Sequence, residues 1–93
     1  MTAGGVEQAN GVLVAGNLVL DTVVIGVPES PPWNTSQWVE SMEQHLGGNC
    51  GNTSHAIARL GVPARALAFA GRDAAGDRVT EILSAAGVDT SFI

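Results

Sequence analysis

Lysine is absent from the 93 residues, and four arginines stand against nine acids. Phosphate-binding loops of the Gly-Lys-Ser/Thr type need a lysine to reach the phosphates, so that motif is excluded. Net charge is −5, and the acids are dispersed rather than gathered in a tail. A nucleic-acid surface needs clustered positive charge to displace counterions, so no nucleic-acid partner is expected. Cysteine is also scarce. Cys50 alone excludes an internal disulfide and fits a reducing cytosol, so the expected location is cytoplasmic. With only His45 and His55 beside it and no second cysteine, zinc-ligand spacing is missing. Long apolar runs are lacking too. The two longest, Val12 to Val14 and Leu18 to Ile25, are interrupted or bounded by Gly, Asn, Asp and Thr. Neither approaches the roughly 20 residues that span a bilayer, so no membrane partner is expected. Met1-Thr2-Ala3-Gly4-Gly5 carries no basic stretch before an apolar one, so no signal peptide is expected.

What remains is a chain 45% hydrophobic and 14% charged, long enough for one small domain. Residues 1–10 are small and polar and are expected to be a flexible N-terminus. Gly11 to Gly16 reads as a buried strand, short, rich in β-branched residues and bounded by glycine. Leu18 to Ile25 continues in extended form, with Asp21 as its single charge. Pro28, Pro31 and Pro32 make Gly26 to Gln37 a loop. Trp38 to Leu46 fits either a strand or a helical turn and is read here as a strand. Ala56, Ile57 and Leu60 recur at helical spacing within Asn52 to Leu60, and Gly61 supplies a stop. Ala64 to Ala70 reads as another strand. Val79, Ile82, Leu83 and Ala86 mark one face of a second helix that Gly87 closes, with Asp77 and Glu81 near its positive end. Val88 to Ile93 is extended. Strand–helix–strand alternation predicts an α/β fold with a parallel sheet and flanking helices. The segment from about Thr22 to Leu46 does not fit that sheet and is expected to form a flap over its edge.

Three places hold residues that could do chemistry. Asp21 follows a strand closely enough to stand at the carboxyl rim of the sheet, where α/β proteins bind ligands. There a carboxylate accepts two hydroxyl hydrogen bonds, although a turn or edge aspartate has the same local sequence. The run Gly47-Gly48-Asn49-Cys50-Gly51-Asn52 combines glycines that permit close backbone approach, amides that donate and accept, and a helix start with unpaired N–H groups. It suits a small polyhydroxylated ligand; it equally describes a glycine turn with an asparagine cap. It is not a dinucleotide fingerprint, because the third position is Asn49 counted from Gly47 and Cys50 counted from Gly48. Gly71-Arg72-Asp73-Ala74-Ala75-Gly76-Asp77 reads first as a strand-to-helix turn with Asp73 near the helix start. Cys50, Trp33 and Trp38 are read as packing residues. A Ser54–His55–Asp21 triad fails, since adjacent helix residues point in different directions.

Together, Gly16 to Asp21, Gly47 to Asn52 with the following Ala58-Arg59-Leu60-Gly61, and Gly71 to Asp77 before a helix ending in Gly87-Val88-Asp89 resemble the N-terminal part of the PfkB (ribokinase-like) carbohydrate kinase family. The resemblance runs from about Gly11 to Ile93. It implies a partial ribokinase-like, Rossmann-like parallel sheet with the first half of a small β lid, matched by about Thr22 to Leu46. It implies transfer of a phosphoryl group from ATP, with Mg2+, to a hydroxyl of a small-molecule sugar. By resemblance, Asp21, Gly48, Asn49 and Asn52 are the substrate-binding residues. Asn49 after the glycine pair is shared with ketohexokinase-like members, which favours a ketose or related sugar. The family's Gly-Ala-Gly-Asp motif, which carries its anion hole and base, is not reproduced by Gly4-Gly5 or by Asp73 to Asp77. No catalytic, ATP-binding or metal residue is therefore expected among these 93, and the chain alone is expected to be inactive. The alternatives are a nucleoside kinase of the same fold and a non-catalytic fragment acting by binding or association. A homodimer through the lid or an exposed sheet edge is the expected assembly.

Overall fold

The computed structural model describes residues 11–93; residues 1–10, with the flexible N-terminus expected there, lie outside the described residues. Three strands form one parallel sheet: β1 (Val12–Ala15), β4 (Ala64–Leu67) and β5 (Asp89–Phe92), in the order β1-β4-β5. Val12 pairs with Ala64 and Ala15 with Leu67 along the first ladder. Two more strands, β2 (Val19–Ile25) and β3 (Ser41–Gly47), form a separate antiparallel ribbon from Val19↔Gly47 to Ile25↔Ser41. The described residues extend over 66 × 26 × 18 Å.

Helix α1 (Asn49–Arg59) links the ribbon to β4, and helix α2 (Ala74–Ala85) links β4 to β5. Both helices press on the same face of the sheet. Cys50 from α1 and Leu83 from α2 join Ala66 and Val88 in one core, with Val14, Leu18 and Leu46 packed against it. The alternation along β4 shows why. Ala64 and Ala66 are buried beneath the helices, while Arg65 and Leu67 point the other way and are exposed. Small side chains on the covered face let the helices come close.

One expectation needs correcting. The sequence pattern predicts a buried first strand, yet Leu13 is 57% exposed. A continuous apolar run marks a strand covered on both faces. Here only one face of β1 is covered, because both connecting helices lie on the same side of the sheet. Arg65, Asp89 and Phe92 occupy the uncovered face. The Arg65 guanidinium donates to Asp89 at 2.7 Å and lies 4.9 Å from the Phe92 ring centre.

The other adjustments are to boundaries. β4 stops at Leu67 rather than Ala70, and the strand read over Trp38 to Leu46 is observed at Ser41–Gly47. The flap is a ribbon that already begins at Val19, so Asp21 lies within it. Trp33 and Trp38, read as packing residues, are 95% and 96% exposed in the loop at the ribbon's end. In α2 the turn reading of Asp73 holds. It is the N-cap, and its Oδ1 accepts from the Gly76 amide at 2.8 Å.

Candidate functional site

The site forms where β1, the ribbon and α1 meet. Helix α1 begins three residues earlier than its apolar spacing indicates, at Asn49, with Gly48 as N-cap. No side chain of Gly48 can cap it. The backbone carbonyl of Asn17 does that work instead, accepting from the amides of Cys50 at 3.0 Å and Gly51 at 3.3 Å. The amide oxygen of Asn49 accepts from its neighbour Cys50 at 2.9 Å and from the Asn17 amide at 2.8 Å. Asn17 and Asn49 thus tie the β1–β2 turn to the helix start. The N–H groups expected to be free for a ligand are, at Cys50 and Gly51, already paired.

The two glycines are explained by the protein's own atoms. A β-carbon on Gly48 would lie 2.4 Å from the Asn17 carbonyl oxygen, and the residue has φ 81° and ψ 155°, a region that is essentially glycine-only. A β-carbon on Gly47 would lie 2.7 Å from Oδ2 of Asp21. The second contact places the Asp21 carboxylate directly over Gly47, two residues before α1 begins. Val19, Asp21, His45 and Gly47 therefore share one face of the ribbon, as the register Asp21↔His45 and Val19↔Gly47 requires. On that face His45 Nε2 is 3.0 Å from Oε1 of Glu43.

Of the four expected site residues, Asp21, Gly48 and Asn49 are gathered around the Gly47–Gly48 hinge. Asn52 lies three residues beyond Asn49 and so on the same side of α1. It lines a cavity of about 320 Å3 with Gln44, His45, Leu46, His55 and Ile82. Gln44 and Leu46 alternate to the face away from Asp21, and Asp21 is not among the residues lining that cavity. A wider cleft of about 980 Å3 lies between the ribbon and α2, with Leu20, Gln44, Arg78 and Glu81 on its walls. Its ribbon residues alternate to the face away from Asp21, so it is separate from the site.

Cys50 is fully buried, and its Sγ is 3.3 Å from the Val14 carbonyl oxygen. Burial pushes its thiol above the usual range, against the opposing hydrogen bonds from Leu67 and Ser54. It is a packing residue, as the sequence reading preferred, since reactive thiols need a depressed value and access. Two residues escaped the sequence reading. Asn17 acts through its backbone carbonyl, which no residue type announces. His45 is found only by counting back two from Gly47 along the strand and knowing its partner. Among the described residues, no three His, Cys, Asp or Glu side chains converge as metal ligands, so no residue here is assigned to hold a cation.

Residues 9–93 match the pfkB family carbohydrate kinase pattern. The chain belongs to that family. A curated relative, the bifunctional protein HldE of Ectopseudomonas mendocina (strain ymp), is 38% identical over 86 residues; the match covers 87% of this chain and 18% of the relative. Among solved structures, the ADP complex of ribokinase from Cryptococcus neoformans is similar with a TM-score of 0.69 and 28% identity, covering 87% of this chain and 25% of the ribokinase. The Methanocaldococcus jannaschii nucleoside kinase, a member of the ribokinase family, is similar with a TM-score of 0.69 and 27% identity, covering 89% and 27%. The α/β fold with its three-stranded parallel sheet and flanking helices is the ribokinase-like one. The chain spans about a quarter of the length of these two solved kinases, and less of the curated relative.

Proposed function

We propose that this chain is the substrate-binding N-terminal part of an ATP-dependent sugar kinase. Asp21, Gly48, Asn49 and Asn52 bind the sugar. The observation that carries this reading is the Asp21 carboxylate seated over Gly47 beside the start of α1. It sets a hydroxyl acceptor beside the turn that leads into Asn49, whose carboxamide oxygen accepts from the Asn17 amide. A carboxylate accepts only, a carboxamide NH2 donates, and a sugar hydroxyl does both. These four residues form a substrate wall without an ATP site, an Mg2+ site or a proton acceptor for the sugar hydroxyl, and the chain alone does not transfer phosphoryl groups. Phosphoryl transfer depends on positioning and charge stabilisation that a substrate wall cannot supply by itself.

The reading is tested by ADP release from the complete protein over a panel of ketoses, aldoses and nucleosides. A sugar is turned over, a ketose best, and Asp21→Ala or Asn52→Ala raises its KM. Loss of a hydrogen bond to a charged group is worth about 1.5–3 kcal/mol, or a rise of about 10- to 100-fold for Asp21→Ala. Unchanged KM in both variants refutes the site assignment. Preferential turnover of a nucleoside supports the second reading, which the likeness to a nucleoside kinase favours. As a separate partner proposal, two copies associate through the ribbon, whose strands each have one unpaired edge among the described residues. Sedimentation equilibrium giving a monomer at all concentrations refutes that. A free, buried thiol suits a reducing compartment, and we place the protein in the cytoplasm.

A further inference from the structure

We propose that His45 is a second substrate-contacting residue, which reads a sugar hydroxyl beside the one held by Asp21. The inference rests on the sugar-site reading above and extends it to a residue outside the family-derived set. It starts from register. Asp21 and His45 are directly opposed across the ribbon, and directly opposed residues of an antiparallel pair carry their side chains on one face, β-carbons about 5 Å apart. The hydrogen bond from His45 to Glu43, two residues away on the same strand, puts the imidazole on that face. The next position on the face is Gly47, which has no side chain and leaves room for the Asp21 carboxylate. His45 is therefore the cross-strand polar neighbour of Asp21.

The chemistry follows from the partner. An ionised Glu43 can only accept, so Nε2 of His45 carries the proton between them. In the neutral imidazole, Nδ1 then presents a lone pair. With the imidazole neutral, the face offers two acceptors, the Asp21 carboxylate and His45 Nδ1, and suits a ligand with two neighbouring hydroxyl donors. Glu43 restricts the ring, as a partner on one imidazole nitrogen orients the other. A bare surface pair between His45 and Glu43 would contribute little and would be indifferent to sugar.

The test is direct binding to the complete protein, with D-fructose, D-ribose and adenosine as probes. Imidazole 1H–13C spectra follow His45, assigned as the signal that His45→Gln removes. Backbone spectra follow Gly47 and Gly48. His45 is exposed, so His45→Gln leaves the fold intact, and the wild-type imidazole signal reports without any substitution at position 45. We expect a probe to shift the His45 signal with the same saturation curve as the Gly47 and Gly48 amides, and His45→Gln to raise its Kd by about fivefold or more, the loss of one hydrogen bond. A probe that shifts the glycine amides while the His45 signal stays still, or whose Kd changes by less than fivefold in His45→Gln, overturns this inference and leaves the sugar site standing. If no probe shifts the glycine amides, both readings fall.

Discussion

Replacing Gly48 by alanine should cost far more than replacing Gly47, although both belong to one motif and differ by one position. At Gly48 the backbone lies at φ 81° and ψ 155°. Holding a residue with a β-carbon in such a region costs about 1–3 kcal/mol. The new methyl would also meet the Asn17 carbonyl oxygen at 2.4 Å and its carbon at 2.9 Å, both backbone atoms. That carbonyl receives the amides of Cys50 and Gly51. Moving it away weakens two hydrogen bonds, each worth about 1 kcal/mol. The combined loss is about 3 kcal/mol or more, against roughly 5–14 kcal/mol for a domain of this size. With a urea slope of about 1 kcal/mol/M, the midpoint falls by about 3 M. At Gly47 the methyl meets only Oδ2 of Asp21 closely, at 2.7 Å, and its next contacts, 3.5 and 3.7 Å, are ordinary. A carboxylate on a flexible side chain rotates aside at a cost of about 1 kcal/mol. Gly47→Ala therefore keeps the fold and moves Asp21, so it should weaken sugar binding with little change in the melt. Far-UV circular dichroism in urea follows the two helices and reads both variants. A Gly48→Ala midpoint within 0.5 M of wild type, on the order of the error of such extrapolations, would refute the reasoning.

Two further predictions test the ends of the sheet–helix units. Asp73→Ala removes the cap on the Gly76 amide and should destabilise by about 1 kcal/mol, with Asp73→Ser recovering most of it; equal urea midpoints for all three proteins would show that the cap contributes nothing. The Asp89 carboxyl is held low, at about 2, by hydrogen bonds from the Ser91 hydroxyl and amide and then from Arg65. Because the folded value lies below the unfolded one, this interaction stabilises the protein above the ordinary carboxylate range, near 3.8, and is lost as pH falls from there through about 2. A carboxyl 13C titration should find the Asp89 midpoint near 2 and Ser91→Ala should raise it, whereas an unshifted wild-type midpoint would contradict the geometry.

The local pattern carried much of the architecture. The spacing of Val79, Ile82, Leu83 and Ala86 located α2, and Ala56, Ile57 and Leu60 located the body of α1. Asp73 was legible as a helix-start residue because a cap acts within three residues of itself. The family resemblance, carried by three short motifs, also arose from consecutive residues. Such features depend on side-chain periodicity and short-range hydrogen bonds, which a linear chain displays directly.

Contacts between distant residues did not show. The start of α1 depends on a carbonyl at Asn17, more than thirty positions earlier, so helical spacing alone placed it too late. The exposure of β1 followed from both helices choosing one face, which no single segment can reveal. The same holds for Asp21 and His45. Alternation says that each strand has two faces, but a shift of one residue in pairing exchanges them. The sequence by itself determined the order of the main strands and helices and, through its likeness to a family, which residues are candidates for a ligand site. Only the tertiary structure decided that Asp21, Gly47 and His45 face one another, because register is set by packing across the ribbon and not by the order of residues along it.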